Sequence, residues 1–398
     1  MKPVLFVTGH APADRIGAFT RLHEREGIEL ALFGGRSKHG PATLGPRSEA
    51  SLPVPHRRVR QRDTGRLAAS GRYRAVVCST AGRVAPLATW AGAHRARAPL
   101  ILWASLWAHP RSPVQVLGYP ALRELYRRAD AVVTYGPHVS AYVAARGARN
   151  LYVAPQAVDN DFWSAPASLG TPDPPWPEGI AARFLFAGRP AREKGARTLI
   201  DAWERSRLCP PQAALALVGV GASASSQRHA SPERHALPGR YAPPERYAPP
   251  ERHACRGRDE ADAVSGVSCM DPVAPERLRE IYAGADVLVV PSLATATFRE
   301  PWGLVINEAM NQRVAVICSD AVGAAAGGLV RPERNGVIVP AGDRGALADA
   351  MARLAGDAGL RARLGAAGAE DVKAYTYEAW ARGFSEALAS VGLSRQHC

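Results

Sequence analysis

Two doubly wound α/β domains facing each other across a cleft are what this 398-residue sequence predicts, and three observations carry the expectation. Short apolar runs alternate with helix-length segments, the alternation stops in a Pro/Gly/Ser-rich stretch near the middle of the chain, and it then restarts. Strands separated by helical connections imply mostly parallel sheets. The length suits two cores of ordinary size better than one.

In chain order, the first set of strands is "PVLFV" (3–7), "IELALF" (28–33), "RAVVC" (74–78), "PLILW" (99–103), "AVVTY" (131–135) and "LYVA" (151–154). Between them lie Arg/Glu/Ala/Leu segments such as 15–26 and 115–129, read as helices. The composition turns to Pro, Gly and Ser at "SAPASLGTPDPPWPEG" (164–179), a linker signature. The second set follows as "RFLFAG" (183–188), "ALALVG" (214–219), "DVLVVP" (286–291), "VAVIC" (314–318) and "GVIVP" (336–340). The resulting map has an N-terminal domain over 1–165, a linker over 166–182, a second domain over 183–375 and a C-terminal helix over 376–398, for which a return onto the N-terminal domain is one course open. The six-residue repeat "GRYAPPERYAPPERHACR" (239–256) is rich in proline and charge and poor in aliphatics, so 222–264 reads as a disordered insertion. Open parallel sheets bind ligands at the carboxyl ends of their strands, which makes the cleft the expected site.

The net charge of +14 is concentrated in front: residues 1–165 carry 23 Lys+Arg against 10 Asp+Glu, whereas 166–398 carry 27 against 26. Compositional bias in an Ala/Arg/Gly/Pro-rich chain is the ordinary reading of this excess, and an anionic partner for the front half, either a membrane surface or a substrate, is the functional one. Nucleic acid is not expected, because "PHRRVRQR" (55–62) lacks the stacking aromatics of single-strand binders. The six cysteines have no paired short spacing and read as reduced cytosolic residues. No stretch reaches the roughly 18 uninterrupted apolar residues of a membrane span. The start reads as a strand rather than a signal peptide, so a cytoplasmic protein, peripheral on the inner face of the plasma membrane at most, is the expectation.

Two segments invite chemistry. In "RFLFAGRPAREKGARTLIDAW" the apolar positions Ala196, Leu199, Ile200 and Trp203 have helical spacing, which puts Arg189 and Lys194 at the amino end of a helix. Cations there oppose the macrodipole, and an anion held between them explains the placement. In "FREPWGLVINEAMNQRVAVICSD" (298–320), Glu300 and Glu308 flank Trp302-Gly303 at what reads as a helix start near Trp302. The amides of Gly303, Leu304 and Val305 are then open to a phosphate or hydroxyl, and Glu308 lies about two turns into the helix. Solvated charges and helix-end electrostatics are the ordinary alternatives for each residue taken singly.

Together with "VGVG", "IYAGADVLVVPS" and "NGVIVPAGD", these segments resemble, in order, the donor-binding half of retaining nucleotide-sugar glycosyltransferases of the two-Rossmann GT-B architecture, specifically the large fourth family. The resemblance covers roughly 183–345 and is weaker before it, where "RRADAVVTYGPHVSAYVAARG" and "VAPQAVDNDFW" look like the end of an acceptor domain. It implies that Arg189 and Lys194 bind the donor diphosphate, that Glu300 contacts the transferred sugar and Glu308 the ribose, and that Gly303 to Val305 lie near sugar and phosphate. Trp302 stands where the family usually has phenylalanine or tyrosine. The paired glycines that often follow the first strand are missing, and Gly9 or Gly17 substitutes for them as the acceptor-side phosphate loop. The family's acceptor-domain histidine corresponds to His109 or, in the more direct register, to Ser105; His109 is preferred.

No cofactor or metal is implied, since the nucleotide-sugar is a co-substrate and Arg189, Lys194 and the helix ends meet the phosphate charge. The "DND" at 159–161 mimics a metal-binding Asp-x-Asp but falls at the end of the acceptor domain. The "GVG" at 219–221 is too short for a dinucleotide fingerprint. The implied activity is sugar transfer to an acceptor hydroxyl of a glycan or lipid-linked acceptor. An epimerase on the same architecture and a binding protein without turnover are the rivals.

Overall fold

The computed structural model describes residues 2–34, 52–166, 174–221 and 264–393. In the first sheet all seven strands are parallel in the order β3-β2-β1-β4-β5-β6-β7, with β1 Val4–Thr8, β2 Ile28–Leu32, β3 His56–Arg58, β4 Ala75–Ser79, β5 Leu100–Ala104, β6 Ala131–Thr134 and β7 Leu151–Val153. The second has the order β10-β9-β8-β11-β12-β13, with β8 Ala182–Ala187, β9 Ala213–Val218, β10 Val267–Met270, β11 Val287–Val290, β12 Ala315–Ser319 and β13 Gly336–Val339. Its strands are also all parallel. The central strands are apolar on both faces because helices cover both, as parallel sheets require.

Sequence order reverses between β1 and β4 in one sheet and between β8 and β11 in the other. Those are the switch points beside which the loops splay apart and leave a crevice at the strand ends. The loops after β8 and β11 carry Arg189, Lys194 and Glu300, so topology delivers the two sequence segments to one crevice.

Two strands escaped the sequence reading, β3 and β10, and both are sheet edges. β3 is the exposed "HRR" of the basic run, and β10 is the half-buried "VSCM", so neither has the continuous apolar signature of a central strand. The insertion inferred for 222–264 lies, apart from Val264, outside the described residues. One expectation needs correction: Cys78, Cys209 and Cys318 are free, but Cys269 is disulfide-bonded.

The chain ends by crossing back. Helix Tyr377–Ser390 packs on helix Ala13–Glu26 and against β6 and β7. Its Trp380 and Phe384 complete the first core, with Phe384 5.3 Å from Phe6 and Trp380 5.7 Å from Trp103 between ring centroids. Gly17 is therefore a packing residue within a helix and not part of a loop: a Cβ there would meet the Tyr377 ring at 2.2 Å. Gly9 does follow β1 in a loop, where its carbonyl accepts from the Gly34 amide at 2.8 Å.

Candidate active site

After β8 the chain passes Arg189, makes a 3-10 turn over Arg192–Lys194 and enters helix Ala196–Ser206, whose Ala196, Leu199, Ile200 and Trp203 are all buried. Gly195 joins turn to helix at φ 75°, and a Cβ on it would lie 2.1 Å from the Pro291 carbonyl oxygen. Only glycine lets the turn close onto the end of β11 in this way. The Leu293 amide donates to the Glu193 carbonyl at 2.8 Å, fastening the two loops together. Arg189 sits 3.6 Å from the Glu193 carboxylate and remains partly exposed.

Glu300, at the start of the second segment, is 7% exposed and accepts a hydrogen bond from Lys194 Nζ. Ser292 Oγ is 3.4 Å from the same carboxylate oxygen. Gly303 follows at φ 94° and turns the chain into helix Val305–Asn311. The helix thus begins about a turn later than the sequence suggested, and Glu308 lies in its first turn rather than two turns in. The reason is the left-handed Gly303, which cannot belong to a right-handed helix. Trp302 points inward, 3% exposed, with its ring 5.7 Å from Tyr375 and its Nε1 donating to Asn307 Oδ1 at 2.8 Å. It supports the turn from beneath.

Glu308 accepts from the Tyr282 hydroxyl at 3.0 Å. Burial pushes its carboxyl up to about 7; the Tyr282 hydrogen bond opposes the rise, and the charge of Asp14 adds to it. Asp14 belongs to the first domain's helix Ala13–Glu26, so the field at Glu308 is set by both domains.

The first domain reaches this site through the loop after β5. Trp107 Nε1 donates to the Glu300 carbonyl at 3.0 Å, and the Arg111 amide donates to the Ala296 carbonyl at 2.7 Å. Arg299 lies 4.9 Å from the Trp107 ring centroid. His109 belongs to this crossing loop, but its ring turns to its own side, with Nε2 2.9 Å from the Gln115 carbonyl and the ring 4.5 Å from that of Tyr119.

A second histidine stands closer to the glutamate turn. His138, at the start of helix Pro137–Ala144, has Nε2 3.3 Å from the Pro301 carbonyl and its ring edge-on to Trp107 at 5.3 Å. Burial holds its pKa below the ordinary value. The sequence offered one clue to it, a Gly-Pro-His just past the end of β6, where ligand-facing loops lie. Asp159 of the "DND" is a helix cap, accepting from the Phe162 amide at 3.0 Å.

Two parallel-sheet domains in a GT-B-like arrangement thus carry a lysine–glutamate pair at one switch point and a second glutamate in the first turn of the adjoining helix. Residues 181–357 match the family Glycosyl transferases group 1. Among curated proteins, the chain is 29% identical over 124 residues to D-inositol 3-phosphate glycosyltransferase of Nocardia farcinica, a stretch covering 31% of this chain and 26% of that protein. Among solved structures, it resembles Anabaena Alr3699/HepE in complex with UDP and glucose, with a TM-score of 0.69 and 17% identity over 98% of this chain and 100% of that one. It also resembles sucrose-phosphate synthase of Thermosynechococcus elongatus, with a TM-score of 0.68 and 21% identity over 98% and 99% of the two chains. At these identities the solved structures speak for the fold. Among the described residues no helix is long and apolar enough to cross a membrane.

Proposed function

We propose that the protein transfers a sugar from a nucleotide-diphosphate donor to an acceptor hydroxyl with retention at the anomeric carbon, as a member of the large fourth family of such enzymes. The observation that carries the reading is the pairing of Lys194 with Glu300 at the β8/β11 switch point, with Glu308 held on the adjoining helix. In this reading Lys194 and Arg189 take the diphosphate, helped by the amides of Gly303, Leu304 and Val305. Glu300 accepts from hydroxyls of the transferred sugar and Glu308 from the ribose, while Trp302 keeps the turn in place.

The bond from the anomeric carbon to the donor phosphate breaks, a bond to the acceptor oxygen forms on the same face, and the acceptor proton passes to the departing phosphate. Negative charge grows on that phosphate, where Lys194 and Arg189 stabilise it without a metal. His109 lies on the loop that crosses to the donor side and is assigned to the reacting sugar, a role that requires its ring to leave the Gln115 carbonyl and the Tyr119 ring; Gly9 lies at the acceptor-side loop. The HepE structure contains UDP and glucose, which makes UDP-glucose the first donor to try.

The acceptor is read as a glycan or lipid-linked molecule in cell-surface synthesis, made at the inner face of the plasma membrane. The basic first domain supports this, and so do the exposed aliphatic residues Val114, Val116 and Leu117 next to the exposed Arg111. The deciding experiment is thermal stabilisation of the protein by UDP-, GDP- and ADP-sugars, repeated with Glu308→Ala and Lys194→Ala. One nucleotide class is expected to stabilise, and both substitutions to abolish the effect; stabilisation by none would favour a binding protein that engages other ligands.

A further inference from the structure

The helix that carries Glu308 presents an asparagine, Asn307, to the interior, where it is fully buried. An apolar side chain is the default there, because a buried amide costs free energy unless each of its ends finds a partner. Both ends do. Asn307 Oδ1 accepts from Trp302 Nε1 at 2.8 Å, and Nδ2 donates to the backbone carbonyl of Gln156 at 3.0 Å. The indole N–H can only donate and the peptide carbonyl can only accept, so the amide's orientation is dictated. Aspartate would set a second acceptor against the Gln156 carbonyl, and leucine would leave both neighbours unpaired.

Gln156 is also fully buried and lies between β7 and helix Asn160–Ser164, in the segment that leaves the first domain. Its Oε1 accepts from Arg15 Nη2. Arg15 is 8% exposed and stands 5.7 Å and 5.6 Å from the ring centroids of Trp103 and Tyr135, with its Nη1 buried and unpartnered. One turn further along the donor helix, Asn311 donates to Asn160 Oδ1 at 2.9 Å and Gln312 donates to the Ala165 carbonyl at 2.9 Å. A continuous buried chain of hydrogen bonds therefore runs from the first domain's core, through the crossing segment, to the turn between the two glutamates.

We propose that Gln156 and Asn307 are positioning residues, and that the relay Arg15–Gln156–Asn307–Trp302 fixes the Glu300–Glu308 turn in one register against the first domain. The inference rests on the donor-site reading above and adds how that site is held. Neither residue touches the donor in this scheme. Each acts by keeping the carboxylates where a nucleotide-sugar meets them, since a misplacement of about 1 Å is enough to cost affinity and rate.

The test uses the full chain and three probes, UDP, GDP and ADP, titrated by calorimetry from pH 5.5 to 8.5. The variants are Trp302→Phe, which keeps an aromatic ring but loses the indole N–H together with its five-membered ring, Gln156→Leu and Asn307→Asp. Each is expected to weaken the nucleotide that the wild type binds by about tenfold, the effect of losing one buried hydrogen bond. Each is also expected to move the pH midpoint of binding, because Glu308 is displaced. Unchanged affinity and midpoint in Trp302→Phe and Gln156→Leu, with only a fall in thermal stability, would overturn the proposal and leave the relay a core feature. Should the wild type bind none of the three nucleotides, the donor reading fails by itself, and amide hydrogen exchange decides the relay. Exchange over 302–308 then quickens at least tenfold in Gln156→Leu relative to the rest of the chain if the relay holds the turn, and keeps step with it if the relay does not.

Discussion

Lys194 and Glu300, 106 positions apart in sequence, form an ion pair across the β8/β11 switch point, with side chains 22% and 9% exposed. The pair joins the two loops on which the proposed donor site is built. It also means that the lysine assigned to the diphosphate is already engaged before any ligand arrives. An ammonium has three N–H groups, so a phosphate can share Lys194 with Glu300 instead of displacing it.

Lys194→Met is expected to leave the Glu300 carboxylate poorly compensated and to destabilise the protein by about 1–3 kcal/mol, less than for a fully buried pair. Glu300→Gln should cost less, since lysine finds water more easily. Denaturant unfolding of the two variants checks the order, and nucleotide titration should show the larger affinity loss in Lys194→Met.

Glu308 predicts a pH dependence with a definite sign. Its carboxyl is raised from 4.5 to about 7, so between those values the folded protein holds a proton that the unfolded chain has released. The stabilisation is complete below pH 4.5 and lost as pH rises through 7, by up to about 3 kcal/mol. Unfolding free energy from pH 4 to 8 should show this fall in the wild type relative to Glu308→Gln. In the proposed donor complex ribose hydroxyls would donate to the ionised form, so nucleotide affinity should climb with pH and level off above about 7.

Gly195→Ala combines a left-handed φ of 75° with a Cβ 2.1 Å from the Pro291 carbonyl oxygen. A loss of about 2–3 kcal/mol is expected, from the strain of the backbone and the clash together. Because the turn ends at Lys194, nucleotide affinity should fall with it; thermal unfolding with and without nucleotide separates the two effects.

Trp380→Ala should weaken the first domain, although the residue lies beyond the second sheet in sequence. The ring is fully buried against Phe6, Phe19 and Trp103, and its removal is expected to cost about 3–5 kcal/mol. Limited proteolysis should then cut first within residues 2–166.

Membrane docking gives a last prediction. Leu117 is 82% exposed, and Val114 and Val116 are each 51% exposed, on the first turns of helix Pro113–Arg128. The full chain should sediment with vesicles containing anionic lipid and release at high salt, each arginine near the surface contributing about 1 kcal/mol. Leu117→Asp with Arg111→Ala should abolish sedimentation; retention by neutral vesicles at high salt would contradict the electrostatic part.

The sequence by itself determined the two α/β sheets, because central parallel strands are buried on both faces and show as unbroken apolar runs such as "VLFV" and "LVV". It also marked Arg189, Lys194, Glu300 and Glu308, since charges at the ends of apolar runs stand out against a simple pattern. Only the tertiary structure decided what those charges meet. The Lys194–Glu300 pair, the approach of His138 to Pro301, the relay through Gln156 and Asn307 and the return of Trp380 to the first core each join residues far apart in sequence. The edge strands β3 and β10 and the late start of the Glu308 helix were settled there too. Local periodicity reports which face of an element is buried, whereas these features depend on which elements the sheet order sets side by side.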